Sequence, residues 1–418
     1  MSEKGDDVEN TIANDLVVTK YKVASEIVNK ALAAVVEKAA QDVSVMELCE
    51  LGDSIIIGET SSVFKKEKDM RRGVAFPTSI SVNNCICHYS PAKSDPDVKL
   101  KNGDLIKIDM GGHIDGFIAV VAHSLIVGAT KENPATGPAA DVLNAAYQAA
   151  CVALRLVVPG GENDAVTEAV QKVAESYKCK PVSGMLSHEL KQFRIDGDKT
   201  IIQNPTEAQK KNHEKCEFEV NEVYAVDVIV STGEGKGREV DNKATIYKKT
   251  DEIYQLKMKA SRAVLSDVDK KFGVMPFTLR YFDDEVKAKM GLKECLNHKL
   301  IEPFPVLHEK DGEFVAQFKF TVLLMPTRSH KITGLPVDLS MYKTEHKIED
   351  ESIVKLLQGS NPTASKKKKK KTAKKAVDGA VTAPADAPAP TEAAAPAAAT
   401  TKSPKPATTA TKPTTKAS

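Results

Sequence analysis

The sequence predicts an α+β fold in which helices cover one face of a curved antiparallel sheet. Three observations predict it. Period-two alternation marks strands, as where Ile106, Ile108 and Met110 alternate with Leu105, Lys107 and Asp109. Apolar residues at spacings of three and four mark amphipathic helices. The elements run helix, strands, helices, strands, helices, strand, an order that suggests an α+β core.

Each element follows from its residues. Residues 15–41 read as a helix, because Tyr21, Ala24, Val28, Ala31 and Val35 fall on one face, with Asp15 as the expected N-cap. Residues 73–91 are strand-like with Gly and Pro punctuation. Residues 104–127 read as a hairpin whose turn region is marked by Gly111, Gly112 and Gly116. Residues 141–157 and 164–177 are amphipathic helices, and 218–231 return to strand. A helix over 254–272 and a shorter one near 291–299 precede a strong final strand over 313–325.

The chain has 418 residues and 41 % of them are hydrophobic, enough for one core of about 350 residues or two ordinary domains. The polar, acidic start MSEKGDDVEN is not the sequence of a secretory signal. Residues 73–92 and 116–130, the longest stretches without Asp, Glu, Lys or Arg, are too polar or too short for a membrane helix. No membrane insertion is expected. Seven scattered cysteines fit a reducing compartment better than a disulfide framework. Cys85-Ile86-Cys87-His88 has no second Cys/His pair at zinc spacing and reads as a strand end with packed thiols.

A net charge of +2 hides a split. From Lys366 onward 12 Lys stand against Asp378, Asp386 and Glu392, so a tail of +9 follows a body of −7. Residues 1–14 are expected to be flexible and residues 15–359 to form the folded domain, with a helical insertion at about 245–305. Residues 360–418, Lys-rich and then Ala/Pro/Thr-rich, are expected to be disordered, since they cannot bury enough apolar surface to offset ordering entropy.

Asp109, His188 and Asp227 are candidate metal ligands, because two-metal hydrolysis needs carboxylates bridging two cations and an imidazole beside them. The segments holding them, Ile106-Lys107-Ile108-Asp109-Met110-Gly111-Gly112-His113, Met185-Leu186-Ser187-His188-Glu189-Leu190 and Tyr224-Ala225-Val226-Asp227-Val228, resemble the methionine aminopeptidases of the pita-bread fold, the type 2 members above all. Asp227 and Lys319 lie 92 residues apart, which leaves room for the helical insertion of those members. By this resemblance Asp109, Val120, His188, Asp227 and Lys319 hold the five ligand positions. His88 falls where the family has a substrate-contacting histidine, and Asp196 replaces another histidine. Val120 cannot donate an electron pair to a metal. The ammonium of Lys319 repels one, and it is expected to stand in for the metal by pairing with Asp109 or Asp227. Two unit charges at about 4 Å interact by roughly 4 kcal/mol at an effective dielectric of 20. No metal and no cofactor are expected.

The changed residues carry a closer resemblance. Phe76-Pro77-Thr78-Ser79-Ile80-Ser81-Val82-Asn83-Asn84, Ile195-Asp196-Gly197-Asp198-Lys199-Thr200-Ile201-Ile202-Gln203-Asn204-Pro205 and Phe314-Val315-Ala316-Gln317-Phe318-Lys319-Phe320-Thr321-Val322-Leu323-Leu324-Met325-Pro326 are similar to the proliferation-associated, ErbB-receptor-binding proteins, the non-peptidase branch of this fold. That resemblance implies a catalytically inactive protein in growth control, translation and transcription. It implies binding to RNA and ribosomal subunits, to the cytoplasmic region of a growth-factor receptor and to transcriptional regulators. It also implies residence in the cytoplasm and the nucleus, including the nucleolus.

Basic segments suit such a role. Lys366, Lys367, Lys368, Lys369, Lys370, Lys371, Lys374 and Lys375 carry eight positive charges that can grip phosphates by counterion release without reading bases. Lys65, Lys66, Lys68, Arg71 and Arg72 form a second, broken cluster, and Lys257, Lys259, Arg262, Lys270 and Lys271 a third. Ile353, Leu356 and Leu357 resemble a Leu-x-x-Leu-Leu docking helix, a pattern that more often packs on its own domain. Gly233-Glu234-Gly235-Lys236-Gly237 lacks phosphate-loop spacing and reads as a loop after a strand. The alternatives are an active metal-dependent methionine aminopeptidase and a protein that holds a peptide N-terminus without cleaving it.

Overall fold

The computed structural model describes residues 10–240 and 244–359. The expected tail of 360–418, with its lysine run, and most of the expected flexible N-terminus lie outside the described residues. Within residues 10–14, Ile12 is already buried.

The alternation in Leu105–Ile114 and Phe117–Ile126 gives a hairpin in unbroken register, from Leu105 opposite Ile126 to Ile114 opposite Phe117. Its two-residue turn is Asp115-Gly116, with φ of 54° and 78°, the left-handed pair that a tight hairpin demands. Gly111 and Gly112 are strand residues, contrary to expectation. A Cβ on Gly111 would come within 2.7 Å of Val120 Cγ1, and one on Gly112 within 3.0 Å of Val28 Cγ2. They are there for close packing on both faces of the sheet, not for a turn.

This hairpin is part of a nine-stranded antiparallel sheet. Its main path runs Arg72–Val82, Leu105–Ile114, Phe117–Ile126, Val315–Leu324, Val223–Ser231, Leu186–Glu189 and Thr200–Ile202. Phe117–Ile126 and Val315–Leu324 share one paired position in the ladder, Lys319 opposite Ala122. Side-chain hydroxyls complete the seam on either side. Ser124 Oγ donates to the Gln317 carbonyl (2.7 Å) and accepts from the Gln317 amide (2.8 Å). Thr321 Oγ1 accepts from the Val120 amide (2.9 Å) and donates to its carbonyl (3.0 Å).

Two helix pairs cover the sheet face opposite Asp109 and Lys319. Asp15–Lys38 and Val45–Ser62 bury Val28, Leu32 and Ile56 with Ile106, Ile108 and Met110. Pro138–Leu156 and Asn163–Ser176 bury Ala146, Ala149 and Val170 with Val226, Val228, Phe318 and Phe320. The N-cap of the first helix is Asn14 and not Asp15, because the Asn14 side chain accepts from the Leu16 amide at 2.9 Å. The second helix was not expected. Ser44 caps it by accepting from the amides of Met46 (3.1 Å) and Glu47 (3.5 Å).

Residues 246–304 form a small three-stranded sheet with the helices Lys259–Lys271 and Glu285–Asn297, around a core that includes Val264, Val268, Phe277, Phe282 and Leu292. The first of these helices starts at Lys259 rather than 254. The carboxylate of Glu294 accepts from the amides of Lys257 (2.8 Å) and Met258 (3.1 Å) and holds that stretch extended. The second starts earlier than the expected 291, where Asp284 accepts from the Lys287 amide at 2.9 Å.

Candidate functional site

Antiparallel register aligns the site. Asp109 lies opposite Ala122, Ala122 opposite Lys319, and Lys319 opposite Asp227, so one row crosses four adjacent strands. Residues directly opposite share a face, and Ala122 is small enough to let Lys319 reach across it. Lys319 Nζ lies 2.6 Å from Asp109 Oδ2 and 3.0 Å from Asp227 Oδ2. Gln317, two residues earlier on the same face, donates its amide to both oxygens of Asp227 at 2.9 and 3.0 Å. The Lys319 ammonium also stands 5.6 Å from the centre of the Phe76 ring. Lys319 thus pairs with both acids, where pairing with one or the other was expected.

Burial opposes the charge on Lys319, but the carboxylates of Asp109 and Asp227 outweigh it and raise its pKa above the ordinary lysine value. Burial raises the Asp227 carboxyl, Lys319 draws it back, and Asp109 adds to the rise. One ammonium serving two buried acids gives that pattern. His88 falls to about 4, through burial and then through the neighbouring Lys319 charge. Its ring packs on Phe76 and Phe304 at centroid distances of 5.7 and 5.4 Å, and its Nδ1 lies 3.0 Å from the Pro305 carbonyl.

His188 lies opposite Ala225, one step along the same face from Asp227. Burial lowers its pKa. Val120 is 3 % exposed in an apolar cluster with Ala75, Ala225 and Met275. Asp196 is turned to Lys248 of the insertion. The residues do not fit two divalent ions. Val120, which the resemblance places at one bridging acid, is packed as a core valine, and Lys319, placed at another, supplies a cation between Asp109 and Asp227. Among the described residues no three His, Cys, Asp or Glu are grouped to hold a metal.

The other candidates are scattered. Lys65, Lys66 and Lys68 lie on the exposed segment after the second helix, and Arg71 and Arg72 lead into the first long strand. Lys257 and Lys259 are exposed, while Arg262 donates to the carbonyls of Leu256 (2.9 Å) and Lys257 (2.8 Å). Ile353 is buried in the main core, and Leu356 and Leu357 pack against it, so the helix Glu351–Gln358 spends its apolar face on its own domain. In the 233–237 loop, the amides of Gly235 (2.7 Å) and Lys236 (3.2 Å) donate to Glu309, an internal carboxylate where a phosphate loop would bind its ligand. Sequence reasoning did not single out Gln317 as a site residue, although the strand period of two places it beside Lys319. Phe304, brought in by the insertion, had no signal.

Residues 19–261 match metallopeptidase family M24. An ErbB-3 binding protein 1 from Solanum tuberosum is 48 % identical over 383 residues, covering 90 % of this chain and 96 % of that protein. The chain belongs to the proliferation-associated, ErbB-3-binding branch of family M24. Another member of the group of relatives, the curved DNA-binding protein of Schizosaccharomyces pombe, is 41 % identical over 372 residues, covering 88 % of this chain and 97 % of its own. Among solved structures, that of a thermophilic Arx1 matches with a TM-score of 0.77 at 32 % identity, over 83 % of this chain and 98 % of that one. The fold of this M24 protein is the pita-bread fold expected from its motifs, and the branch is the non-peptidase one. No helix among its described residues is long and apolar enough to cross a membrane.

Proposed function

We propose that this M24 protein is a catalytically silent aminopeptidase scaffold that binds RNA, ribosomal particles and regulatory proteins, among them a growth-factor receptor's cytoplasmic region and transcriptional regulators. It would work in the cytoplasm and the nucleus, including the nucleolus. One observation carries the silent part: Lys319 Nζ lies 2.6 Å from Asp109 and 3.0 Å from Asp227. Hydrolysis by this fold needs those acids to bridge cations and deliver a bound water, and here their charge is already spent on an amine. The binding part draws support from the basic body clusters and from the lysines at 366–371, 374 and 375. It is also supported by relatives whose names specify ErbB-3 binding and curved-DNA binding.

Two measurements test the reading. Calorimetric titration with manganese should give no tight two-ion binding, and a Met-Ala-Ser peptide should stay intact with cobalt or manganese added. Either result reversed would return the protein to the enzymes. Replacing the eight tail lysines by glutamine should weaken RNA binding and flatten its salt dependence.

A second reading, retention of a peptide N-terminus without cleavage, is favoured by Asp109 Oδ1 and His188 Nδ1. Both atoms are buried and make no hydrogen bond within the protein. A short Met-peptide that shifted resonances of Asp109 or His188 would support it, and unchanged spectra would dismiss it.

A further inference from the structure

A cleft of about 680 Å³ opens between the insertion and the body, within the roughly 300–1,000 Å³ usual for ligand sites. It joins two basic clusters that are far apart in sequence. Arg71 and Arg72 lie on one wall, and Lys270 and Lys271, at the end of the helix Lys259–Lys271, on the other.

Among the described residues none of these four cations is in an ion pair, although Glu67 and Asp69 interrupt the first cluster in sequence. Arg71 donates to the Asp269 carbonyl (3.4 Å) and Arg72 to the Phe64 carbonyl (2.8 Å), both neutral acceptors. Two acids nearby are engaged elsewhere: Asp115 pairs with Lys20 at 2.6 Å, and Asp269 pairs with Lys249. The helix C-terminus offsets only about half a unit charge.

The remaining lining mixes aliphatic and hydroxyl side chains, such as Ile57, Thr60 and Met275, with aromatic ones, among them the half-buried Phe193 and Phe272. Phe193 has φ of 60°, a left-handed conformation that a bulky side chain rarely adopts. The backbone is forced there. Lys191 and Arg194 exchange amide-to-carbonyl bonds of 3.0 and 2.9 Å, and the Phe193 amide donates to the Gly116 carbonyl at 2.8 Å. The ring lies on Gly116, where a Cβ would come within 2.6 Å of it. Strain of this kind persists where the surroundings over-determine it, and ligand clamps are common places for it.

We propose that this cleft takes a single-stranded RNA segment, with an unstacked base against Phe193 and Phe272 and flanking phosphates on Arg71, Arg72, Lys270 and Lys271. The proposal rests on the RNA-binding reading and names the part of the folded body that performs it. Aromatic rings among cations suit an unpaired base beside its backbone. A duplex hides its base faces and cannot enter.

The test uses the full chain and a labelled eight-nucleotide single strand, followed by fluorescence anisotropy over a range of salt. Arg71→Gln with Lys270→Gln should weaken binding and reduce the salt slope by about 1.4, at roughly 0.7 per lost phosphate contact. Phe193→Gly removes the ring but suits the left-handed backbone. It should weaken binding roughly five- to hundredfold with the slope unchanged. A duplex of the same sequence should compete poorly, as should adenosine monophosphate. Matching thermal denaturation curves would establish that the variants fold.

Binding lost on glutamine replacement of the tail lysines but unchanged in both cleft variants would overturn this inference and leave the RNA-binding reading standing. A full chain that binds no RNA would overturn both. Equal competition by adenosine monophosphate would make the cleft a free-nucleotide site. Displacement by an acidic peptide, with Phe193→Gly indifferent, would make it a protein-docking site. Either result would refute the proposal.

Discussion

Arg280 of the insertion reaches Asp53 of the second helix, Nη2 to Oδ2 at 2.7 Å, with both side chains almost wholly buried. Arg280 also donates to Ser90 Oγ (2.7 Å) and the Pro91 carbonyl (3.0 Å), while Asp53 accepts from the Thr78 amide (2.8 Å). This knot fastens the insertion to the body and fixes the opening between them. Arg280→Met should therefore destabilise the fold by about 3–5 kcal/mol, because it strands a buried carboxylate. Adding Asp53→Leu should recover only part of the loss, since the Thr78 amide is then left without its acceptor. Chemical denaturation of the three proteins measures both effects.

Lys319→Met should cost a similar amount, about 3–5 kcal/mol near pH 8, by leaving Asp109 and Asp227 facing each other without a cation. The loss should shrink as pH falls toward 5. Asp227, already pushed upward by burial, takes up a proton once its ammonium partner is gone, and a neutral carboxyl is cheaper to bury. Denaturation midpoints at pH 8 and pH 5 check this.

Restoring the lost acids should make the site respond to metal. Val120→Asp combined with Lys319→Glu returns four carboxylates to the cleft. The double variant should be less stable than the parent without metal, because Val120 sits in an apolar cluster. Its melting temperature should rise with added manganese while that of the parent stays level. Linkage makes any ion that prefers the folded state raise stability in this way.

Acid should weaken the fold in a defined window. His88, His113 and His123 are each lowered to about 4, burial being the main cause in every case. An unfolded histidine takes its proton near pH 6.5. Between about 6.5 and 4 the unfolded chain therefore binds more protons than the folded one, and stability falls as pH drops. The limiting slope is about 1.4 kcal/mol per pH unit for each histidine, roughly 4 for the three together. Urea midpoints at pH 7, 6 and 5 should show the decline, and His123→Gln should make it shallower by up to about 1.4 kcal/mol per pH unit.

Much of this architecture was legible because period and motif act locally. The alternation around Asp109 announced the hairpin, and the Lys319 segment announced the substituted site. What failed was the assignment of glycines and caps. Gly111 and Gly112 carry the same letter as a turn glycine, yet they are there to admit Val120 and Val28. Asn14, beside Asp15, is an equally good capping residue by type, and only geometry chooses between them. The second helix was announced by Ser44 with Glu47 three residues on, a capping-box spacing that went unread. The bond between Arg280 and Asp53 joins residues 227 apart in sequence, and the meeting of Arg71 with Lys270 depends on where the insertion docks. Neither has a local signature.

An amine built into the chain differs from a captured ion in one respect. It is present once in every molecule as soon as the polypeptide is made. It cannot be stripped by a chelator, exchanged for a competing metal or left vacant in a starved cell. Under the proposed function, the row from Asp109 to Asp227 keeps its charge balance whatever the metal supply, because the cation between the two acids is Lys319 itself.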